Sequence, residues 1–401
     1  MERLKHLLSS KDLTLSYLIA LDRKTDAVEE LLKTREGAEL LTEALRGYRV
    51  CNIFIQPSTR TRASSSVSAS ALGAYVFNEV GTKEDGEWQL TLSSAVKGAS
   101  FLDEMRTLAC YFQLLILRTP KVGMPALAAR AFDRASLNVS VINAGDGEGD
   151  GEHPTQTLID IRTILKGLNL KIERDWSRLK NYSVAFINDG RFSRVVRSAA
   201  PLLGKVFGME IKFVVPPGLE PDLLLIQELK NSGVRFSVHH EFQQADIAYV
   251  TRIPKEFSRD DFEKYKGYYS VTRQIADIYG FKGVLHPWPR SEEGNELPAY
   301  EETKPETEKI SLDCDERGWY FKQMENGVPV RAAVILSLLD PALDLKALRD
   351  RKLRRGYIGQ CIGKKGTCLR LEHPDLGWSE KGYPEALPHL PKIFCPECQP
   401  K

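Results

Sequence analysis

The 401-residue sequence lacks a net charge of either sign, because 56 Lys and Arg residues nearly balance 54 Asp and Glu residues and leave a formal charge of +2. Such a chain has no general electrostatic attraction to nucleic acid or to an anionic membrane. It also lacks an apolar run long enough to span a bilayer. Its opening stretch, MERLKHLLSSKDLTL, scatters charges among apolar residues, unlike a secretory signal. We therefore expect a globular cytoplasmic protein.

Cysteine is scarce, and its distribution is uneven. Of seven cysteines, Cys51, Cys110 and Cys314 are isolated from one another, and the other four lie near the C-terminus. An odd number with isolated members argues against a disulfide framework and favours a reducing compartment. In such a compartment, a cysteine cluster favours metal binding over disulfides.

The C-terminal cysteines form two pairs. Cys361 and Cys368 stand seven positions apart, whereas Cys395 and Cys398 form a CPEC knuckle. Four thiolates in two pairs suit tetrahedral zinc, which predicts a structural four-cysteine zinc module over residues 351–401. Four unrelated thiols are the alternative.

Short apolar segments alternate with helical patterns along most of the chain, which is typical of an α/β protein whose parallel sheets are covered on both faces. The pattern restarts after residue 165, so two domains are predicted, each with a central parallel sheet. Strands are predicted at 49–55, 113–118, 139–145, 183–189, 210–216, 234–239, 246–251 and 283–289, and helices at 62–74, 101–112, 153–165, 194–208 and 329–339.

These patterns predict three units. Residues 1–165 and 166–328 form the two α/β domains, and helices within 329–350 return to the first. The zinc module follows as the third unit. The glycine-rich segment 145–152 and the acidic segment 291–309 are expected to be flexible surface loops.

The segment FIQPSTRTRASSSVSASALGA, residues 54–74, concentrates hydrogen-bond donors at a predicted strand-to-helix corner. A helix that begins near Ser58 directs unpaired N–H groups toward the loop. The hydroxyls of Ser58, Thr59 and Thr61 and the guanidinium of Arg60 add further donors. Together they indicate an anion cradle suited to a phosphate. An ordinary N-cap with surface arginines is the alternative from this segment alone.

Two weaker signals follow. His153 opens a helix and Gln156 lies one turn further, so both face the same direction. Arg118 ends a predicted strand, where ligands gather in α/β sheets.

These motifs occur together in a known order. STRTR, LRTP, NAGDG…HPTQTLID, the TR at 251–252 and VLHPWPR resemble the aspartate/ornithine carbamoyltransferase family over roughly residues 1–345. HPTQ combined with HPxPR is similar to the aspartate branch. The resemblance implies carbamoyl transfer from carbamoyl phosphate to the amine of L-aspartate, a step of pyrimidine biosynthesis, with no metal needed for catalysis.

The resemblance also implies site residues. Ser58, Thr59, Arg60 and Thr61 would hold the phosphate, Arg118 and His153 would polarise the carbonyl, and Gln156 would bind the carbamoyl amide. In the second domain, the implied ligands are two arginines for the carboxylates and two backbone carbonyls for the ammonium group: Arg194, Arg252, Pro287 and Trp288.

The segment SSAVKG resembles a family loop that reaches the neighbouring subunit's site. This implies a homotrimer with shared active sites, to which Ser93 and Lys97 contribute. A solvent-facing lysine is the alternative for Lys97 without the family context. The cysteine tail resembles the zinc domain of the aspartate enzymes' regulatory chain and would support a higher assembly.

Several positions depart from the family pattern, mostly on the amino acid side. They are Gln56 for Glu, Ser66 for Glu, Val195 for Thr, Pro254 for Gln, Phe257 for Arg and Trp288 for Leu. Two other functions therefore stay open: carbamoyl transfer to a different amine, and a weakly active binding or regulatory paralogue. A zinc-tailed nucleic-acid binder is disfavoured by the near-neutral charge, although the segment 346–356 is basic.

Overall fold

The computed structural model describes residues 4–84, 86–90, 98–147, 150–253 and 263–348, and the backbone of four short strands between residues 359 and 393. Within these ranges, no helix is both long enough and apolar enough to cross a membrane.

The first domain contains a four-stranded parallel sheet in the order β2-β1-β5-β6 and a separate small antiparallel hairpin, β3-β4. Its strands are β1 (Arg49–Phe54), β2 (Tyr75–Val80), β3 (Thr82–Glu84), β4 (Glu87–Gln89), β5 (Leu114–Arg118) and β6 (Ser140–Asn143). All but the first residue of β1 are buried, as expected for a strand covered on both faces.

Helices cover this sheet on both sides. They are α1 (Leu15–Leu32), α2 (Arg35–Leu41), α3 (Thr59–Ala71), α4 (Phe101–Tyr111), α5 (Met124–Arg134) and α6 (Pro154–Gly167). Because successive side chains of a strand point to opposite faces, Val50 and Phe54 join one core, and Cys51 and Ile53 join the other.

The second domain contains a five-stranded parallel sheet in the order β11-β10-β7-β8-β9. Its elements are α7 (Ile172–Asp175), β7 (Ser183–Ile187), α8 (Arg194–Phe207), β8 (Glu210–Val214), α9 (Leu223–Asn231), β9 (Phe236–His239), β10 (Ile247–Val250), α10 (Arg273–Tyr279) and β11 (Gly283–Leu285).

Two helices complete the described domains: α11 (Tyr320–Glu325) and α12 (Gly327–Leu339). α12 is apolar and almost wholly buried, and it packs against α1 and α3 of the first domain. α6 packs against α8, so one apolar core runs from the first domain into the second. The two sheets are therefore held against each other by a buried helical layer.

The prediction of an α/β protein with two parallel sheets is confirmed, but local details differ. The helix after β1 begins at Thr59 with Ser58 as its N-cap, as the anion cradle required, and therefore before residue 62, where the Ala- and Ser-rich pattern starts. The edge strand β2 was not predicted, because the exposed Asn78 and the half-buried Glu79 interrupt its apolar pattern. The segment 283–289, predicted as a strand that ends in a loop, is a strand up to Leu285, since Pro287 and Pro289 cannot donate to a sheet.

The acidic segment 291–309 is not a surface loop throughout. Glu296 and Leu297 are each only 2% exposed. Glu296 accepts a hydrogen bond from the backbone N–H of Ser291 at 2.7 Å and lies 3.3 Å from His286 Nε2. A carboxylate with such hydrogen-bond partners can be buried. The acidic composition of the segment does not predict this burial.

Both sheets reverse their strand order in the middle, and ligands of open α/β sheets bind outside the carboxyl ends of strands at such reversals. In the first sheet the reversal lies between β1 and β5, and in the second between β7 and β10. The carboxyl end of β5, at Arg118, and the segments that follow β1, β7 and β10 all contribute to one cavity.

Candidate active site

A cavity of about 1060 Å³ lies between the two domains. Eleven of the residues predicted to bind or transform substrate line it: Ser58, Thr59, Arg60, Thr61, Arg118, His153, Gln156, Arg194, Arg252, Pro287 and Trp288. The other two, Ser93 and Lys97, lie outside the described residues. The tertiary structure thus brings together side chains that are up to 230 positions apart in the sequence.

The corner between β1 and α3 forms one end of the cavity. Ser58 is the N-cap of α3, and its side chain makes no capping hydrogen bond. Its hydroxyl instead donates to Thr61 Oγ1 at 3.2 Å. The first N–H groups of the helix therefore have no side-chain acceptor from the cap, and an anion is the partner that such a helix end favours.

Arg118 extends from the end of β5 into the same region. Its Nη1 donates to the carbonyl of Ala144 at 3.2 Å, and its buried Nε has no hydrogen-bond partner among the described residues. Burial lowers the pKa of Arg118, and the charges of Arg194 and Arg60 lower it further. A buried cation beside other cations is stabilised by a bound anion.

Gly145 leaves the space that the Arg118 guanidinium needs. Its φ is +113°, and a Cβ at this position would lie 2.6 Å from Arg118 Nη1. Any side chain here would strain the backbone and displace the guanidinium. The glycine in NAGDG thus positions Arg118.

Hydrogen bonds fix the described residues of the glycine-rich loop after Gly145. The carboxylate of Asp146 accepts hydrogen bonds from the backbone N–H groups of Gly123 and Glu152, at 2.7 and 2.8 Å. Glu152 in turn accepts from the hydroxyls of Ser9 and Ser10. These contacts hold the residue that precedes His153.

His153 is the buried N-cap of α6. Its Nε2 lies 3.4 Å from Thr61 Oγ1 and its Nδ1 lies 3.3 Å from Thr155 Oγ1, while its backbone N–H donates to Ser198 of the second domain. Burial holds the pKa of His153 well below its ordinary value, and neighbouring cations, Arg118 first, add to the effect. The imidazole is therefore neutral near pH 7 and can donate one hydrogen bond.

The opposite wall comes from the second domain. Arg194 lies at the start of α8, and its Nη1 donates to Gln56 Oε1 of the first domain at 2.9 Å. Arg252 follows β10 and is exposed to the cavity. Burial and the charge of Arg252 both lower the pKa of Arg60. Cations of the two domains therefore act on one another across the cavity.

Trp288 forms part of the wall next to Pro287. Its indole packs against Tyr320 and Phe321, with ring centroids 6.0 and 5.7 Å away, and the Arg290 guanidinium lies 4.7 Å from its ring. The indole is therefore held against α11, and it lines the cavity on that side.

Six lysine and arginine side chains line the cavity: Lys83, Arg60, Arg118, Arg194, Arg252 and Arg331. Among its described lining residues, Asp189 is the single carboxylate. Such a surplus of positive charge suits substrates that carry several negative charges.

Two family models match the chain. One describes the carbamoyl-phosphate binding domain of aspartate/ornithine carbamoyltransferase and matches residues 5–166, and the other describes the Asp/Orn binding domain and matches residues 180–338. Together they span most of the chain. This chain belongs to the aspartate/ornithine carbamoyltransferase family.

Relatives within the family agree with this assignment. The aspartate carbamoyltransferase catalytic subunit of Methanocaldococcus jannaschii is 32% identical over 345 residues, which cover 84% of this chain and 98% of the relative. A solved structure of the M. jannaschii catalytic subunit superposes with a TM-score of 0.68 at 30% identity, covering 84% of this chain and 99% of that chain.

A third match carries ligands. Aspartate transcarbamoylase from Trypanosoma cruzi, solved in complex with carbamoyl phosphate and aspartate, superposes with a TM-score of 0.67 at 26% identity. It covers 84% of this chain and 97% of the T. cruzi chain.

Sequence reasoning missed five residues in or beside the cavity: Lys83, Trp88, Asp160, Gln323 and Arg331. Signals existed for two of them. Asp160 stands one helical turn after Gln156, and Arg331 is the lone charge in the apolar helix α12. Lys83 and Trp88 pair across the β3-β4 hairpin, where Lys83 Nζ lies 5.6 Å from the Trp88 ring, and no motif indicated them.

The predicted zinc ligands lie beyond the residues that the family models match. The side chains of Cys361, Cys368, Cys395 and Cys398 are outside the described part of the chain, as are Pro254 and Phe257 of the second domain.

Proposed function

We propose that this chain transfers the carbamoyl group of carbamoyl phosphate to the α-amine of L-aspartate, giving N-carbamoyl-L-aspartate and phosphate. The observation that carries the proposal is one cavity with a helix N-terminus and Arg118 at one end and Arg194 and Arg252 at the other. The first end suits a phosphate, and a pair of guanidiniums suits a dicarboxylate. The ligands of the T. cruzi relative fit this division.

In this proposal, carbamoyl phosphate binds first at the β1-α3 corner. Ser58, Thr59, Arg60 and Thr61 hold its phosphate. Arg118 and His153 donate hydrogen bonds to its carbonyl oxygen, and Thr61 lies beside them. Gln156, on the same face of α6 as His153, holds the carbamoyl nitrogen.

Aspartate then binds on the second domain. Arg194 and Arg252 bind its carboxylates, and the backbone carbonyls of Pro287 and Trp288 accept hydrogen bonds from its amine. Holding both substrates in one cavity makes the attack effectively unimolecular.

The neutral, unprotonated amine of aspartate attacks the carbonyl carbon. Arg118 and the neutral His153 stabilise the negative charge that develops on the carbonyl oxygen. The C–O bond to phosphate then breaks, and the leaving phosphate accepts the proton that the amine loses. A neutral imidazole suits the role of donor here, since it keeps one N–H at any pH above its lowered pKa.

The test is an assay with labelled carbamoyl phosphate and aspartate, run beside a panel of other amines. N-carbamoyl-aspartate formed faster than any other product supports the proposal. If a different amine is turned over faster, that amine and not aspartate is the acceptor. This outcome is tested because two cavity residues, Val195 and Trp288, differ from the family pattern. Phosphate binding without any product would favour the binding or regulatory paralogue.

The shared trimer site is a separate part of the proposal. We infer from the family resemblance that Ser93 and Lys97 complete the site of a neighbouring subunit in a homotrimer. Mixing a Lys97→Ala chain with an Arg118→Ala chain tests this. Recovered activity in the mixture, from sites that draw intact residues from two subunits, supports it, and activity equal to the sum of the separate chains contradicts it.

We also propose that Cys361, Cys368, Cys395 and Cys398 bind one structural zinc ion. The backbone register pairs Cys361 with Ile393, which brings the first cysteine close to the segment that leads to Cys395. Zinc content of the purified protein is the test, and less than about half an equivalent per chain would contradict it.

A further inference from the structure

Asp160 is a buried carboxyl group next to the cavity that the proposed chemistry does not use. It lies on α6 and is 0% exposed. Three side chains donate to it: Gln156 Nε2 to Oδ1 at 2.9 Å, Gln323 Nε2 to Oδ1 at 2.6 Å, and the Tyr249 hydroxyl to Oδ2 at 3.0 Å. These donors come from α6, α11 and β10, so Asp160 joins both domains.

The orientation of the Gln323 amide follows from its second partner. The backbone N–H of His286 can only donate, and it lies 2.9 Å from Gln323 Oε1. The Gln323 amide must therefore direct its NH₂ group toward Asp160. Oδ1 of Asp160 is consequently an acceptor, whether or not the carboxyl group carries a proton on Oδ2.

The same oxygen determines the orientation of Gln156. Because Oδ1 accepts, the Gln156 amide directs its NH₂ group toward Asp160. Gln156 also lines the cavity. The amide oxygen Oε1 is not used by Asp160, and it can accept a hydrogen bond from a ligand but cannot donate one.

An acceptor at this place distinguishes two kinds of acyl phosphate. A carbamoyl group carries an NH₂ on its carbonyl carbon and can donate to Oε1. An acetyl group of the same shape carries a methyl there and would leave Oε1 unpaired, which is costly in a buried site.

We propose that Asp160 is a positioning residue that holds the Gln156 amide with its oxygen toward the acyl donor, so that the site selects a carbamoyl over an acetyl phosphate. The proposal rests on the proposed function, since it concerns the same acyl donor. Through Gln323 and the His286 N–H, the same carboxylate also supports the segment that precedes Pro287. The Asp160 carboxyl group therefore holds Gln156 on the carbamoyl phosphate side of the cavity and the segment before Pro287 on the amino acid side.

The experiment compares two constants in wild-type protein and variants. They are the KM of carbamoyl phosphate and the inhibition constant of acetyl phosphate as its competitor. Asp160→Ala removes the acceptor, and Asp160→Leu does so while keeping the volume filled. Asp160→Asn retains one oxygen that can accept from both glutamines. Tyr249→Phe is the matched control, because it removes a different donor from the same carboxylate.

We expect Asp160→Ala and Asp160→Leu to lower the preference for carbamoyl phosphate by about 5-fold to 100-fold, the range of one unpaired buried group. The loss should come from a higher KM for carbamoyl phosphate with a nearly unchanged inhibition constant for acetyl phosphate. Asp160→Asn and Tyr249→Phe should keep the wild-type preference. In a Gln156→Ala background, the loss of Asp160 should have no further effect on the preference.

A purely structural role would raise both constants together and leave their ratio unchanged, and that result would overturn the proposal. The proposal would also be overturned if Asp160→Ala lowered the preference further in a protein whose Gln156 is already alanine. Failure of the proposed function looks different, because wild-type protein would then form no N-carbamoyl-aspartate at all.

Discussion

The two walls of the cavity hold their charged groups in different ways. On the first wall, Arg118 and His153 are anchored to the end of a central strand and to the start of a buried helix, and burial lowers the pKa of both. On the second wall, Arg194 is half-buried like Arg118 but donates a hydrogen bond across the cavity to Gln56, and Arg252 is exposed.

The difference suggests a division of labour. Groups that are anchored within one domain before substrate arrives are pre-organised and act most strongly on charge that develops during the reaction. Groups that are more exposed and reach across the cavity gain most from binding a charged substrate. We expect the first wall to determine the rate and the second wall to determine affinity for the acceptor.

The largest effect is expected on the first wall. Arg118→Ala should lower kcat by about 10²- to 10³-fold, the cost of one lost oxyanion donor, with little change in the affinity for aspartate. Steady-state kinetics measures both. Arg106→Ala, which changes an exposed arginine of α4, is the control and should behave like wild type. If Arg118→Ala had a kcat close to that of wild type, the first wall would not determine the rate, and the proposed difference between the walls would be wrong.

A smaller effect, in a different constant, is expected on the second wall. Arg194→Ala should raise the KM for aspartate by about 10- to 100-fold through loss of a charged hydrogen bond, and should change kcat less. Arg191→Ala changes an exposed neighbour that does not line the cavity and serves as control. If Arg194→Ala lowered kcat as strongly as Arg118→Ala, the division of labour would be wrong.

The junction between the walls should respond to pH. Burial raises the pKa of Asp160 to about 7. The folded chain therefore binds a proton that the unfolded chain has released between about pH 4 and pH 7, so this group's contribution to stability is present at the acid end and is lost as pH rises.

Relative to Asp160→Asn, wild-type protein should lose up to about 1.4 kcal/mol of unfolding free energy per pH unit in that range. Urea unfolding at pH 5, 6, 7 and 8 measures the difference. Tyr249 and Arg331 face the same carboxyl and are unchanged in both chains. Parallel stability curves for the two chains would show that Asp160 does not take up the proton.

The smallest effect concerns the contact between the walls at His153. Its backbone N–H donates to Ser198 Oγ at 2.7 Å. Ser198→Ala should lower the free energy of unfolding by about 1 kcal/mol, because it leaves a buried donor unpaired. Ser337→Ala is a matched control, since that buried hydroxyl only donates back to its own helix. Equal stability of the two variants would contradict the prediction.

Much of this arrangement could be predicted from the sequence. Apolar runs such as RVCNIFI and SVAFI indicated central parallel strands, and STRTR after the first run indicated the anion cradle. These signals are local, because a buried strand and a helix start each need particular residues in a row. Edge strand β2, whose side chains are exposed or half-buried and partly polar, did not carry such a signal.

The partners of the site residues were beyond prediction. The bond between Gln56 and Arg194 joins residues 138 positions apart, and Gln323 reaches Asp160 over 163 positions. Such contacts depend on how two domains pack, and no spacing in the chain encodes them. The burial of Glu296, which an acidic segment does not suggest, has a different origin, since its carboxylate contacts Ser291 and His286 of the same domain.

By itself, the sequence determined the alternation of strands and helices, the positions of the phosphate-suited corner and the family to which the chain belongs, since each depends on residues close together or on motifs in order. Only the tertiary structure decided that Arg118, His153 and Arg194 face one cavity, and that a buried carboxyl group orients Gln156 within it. The physical reason is that charge and hydrogen bonding act through space, so that their partners are settled when the two sheets pack against the shared helical layer.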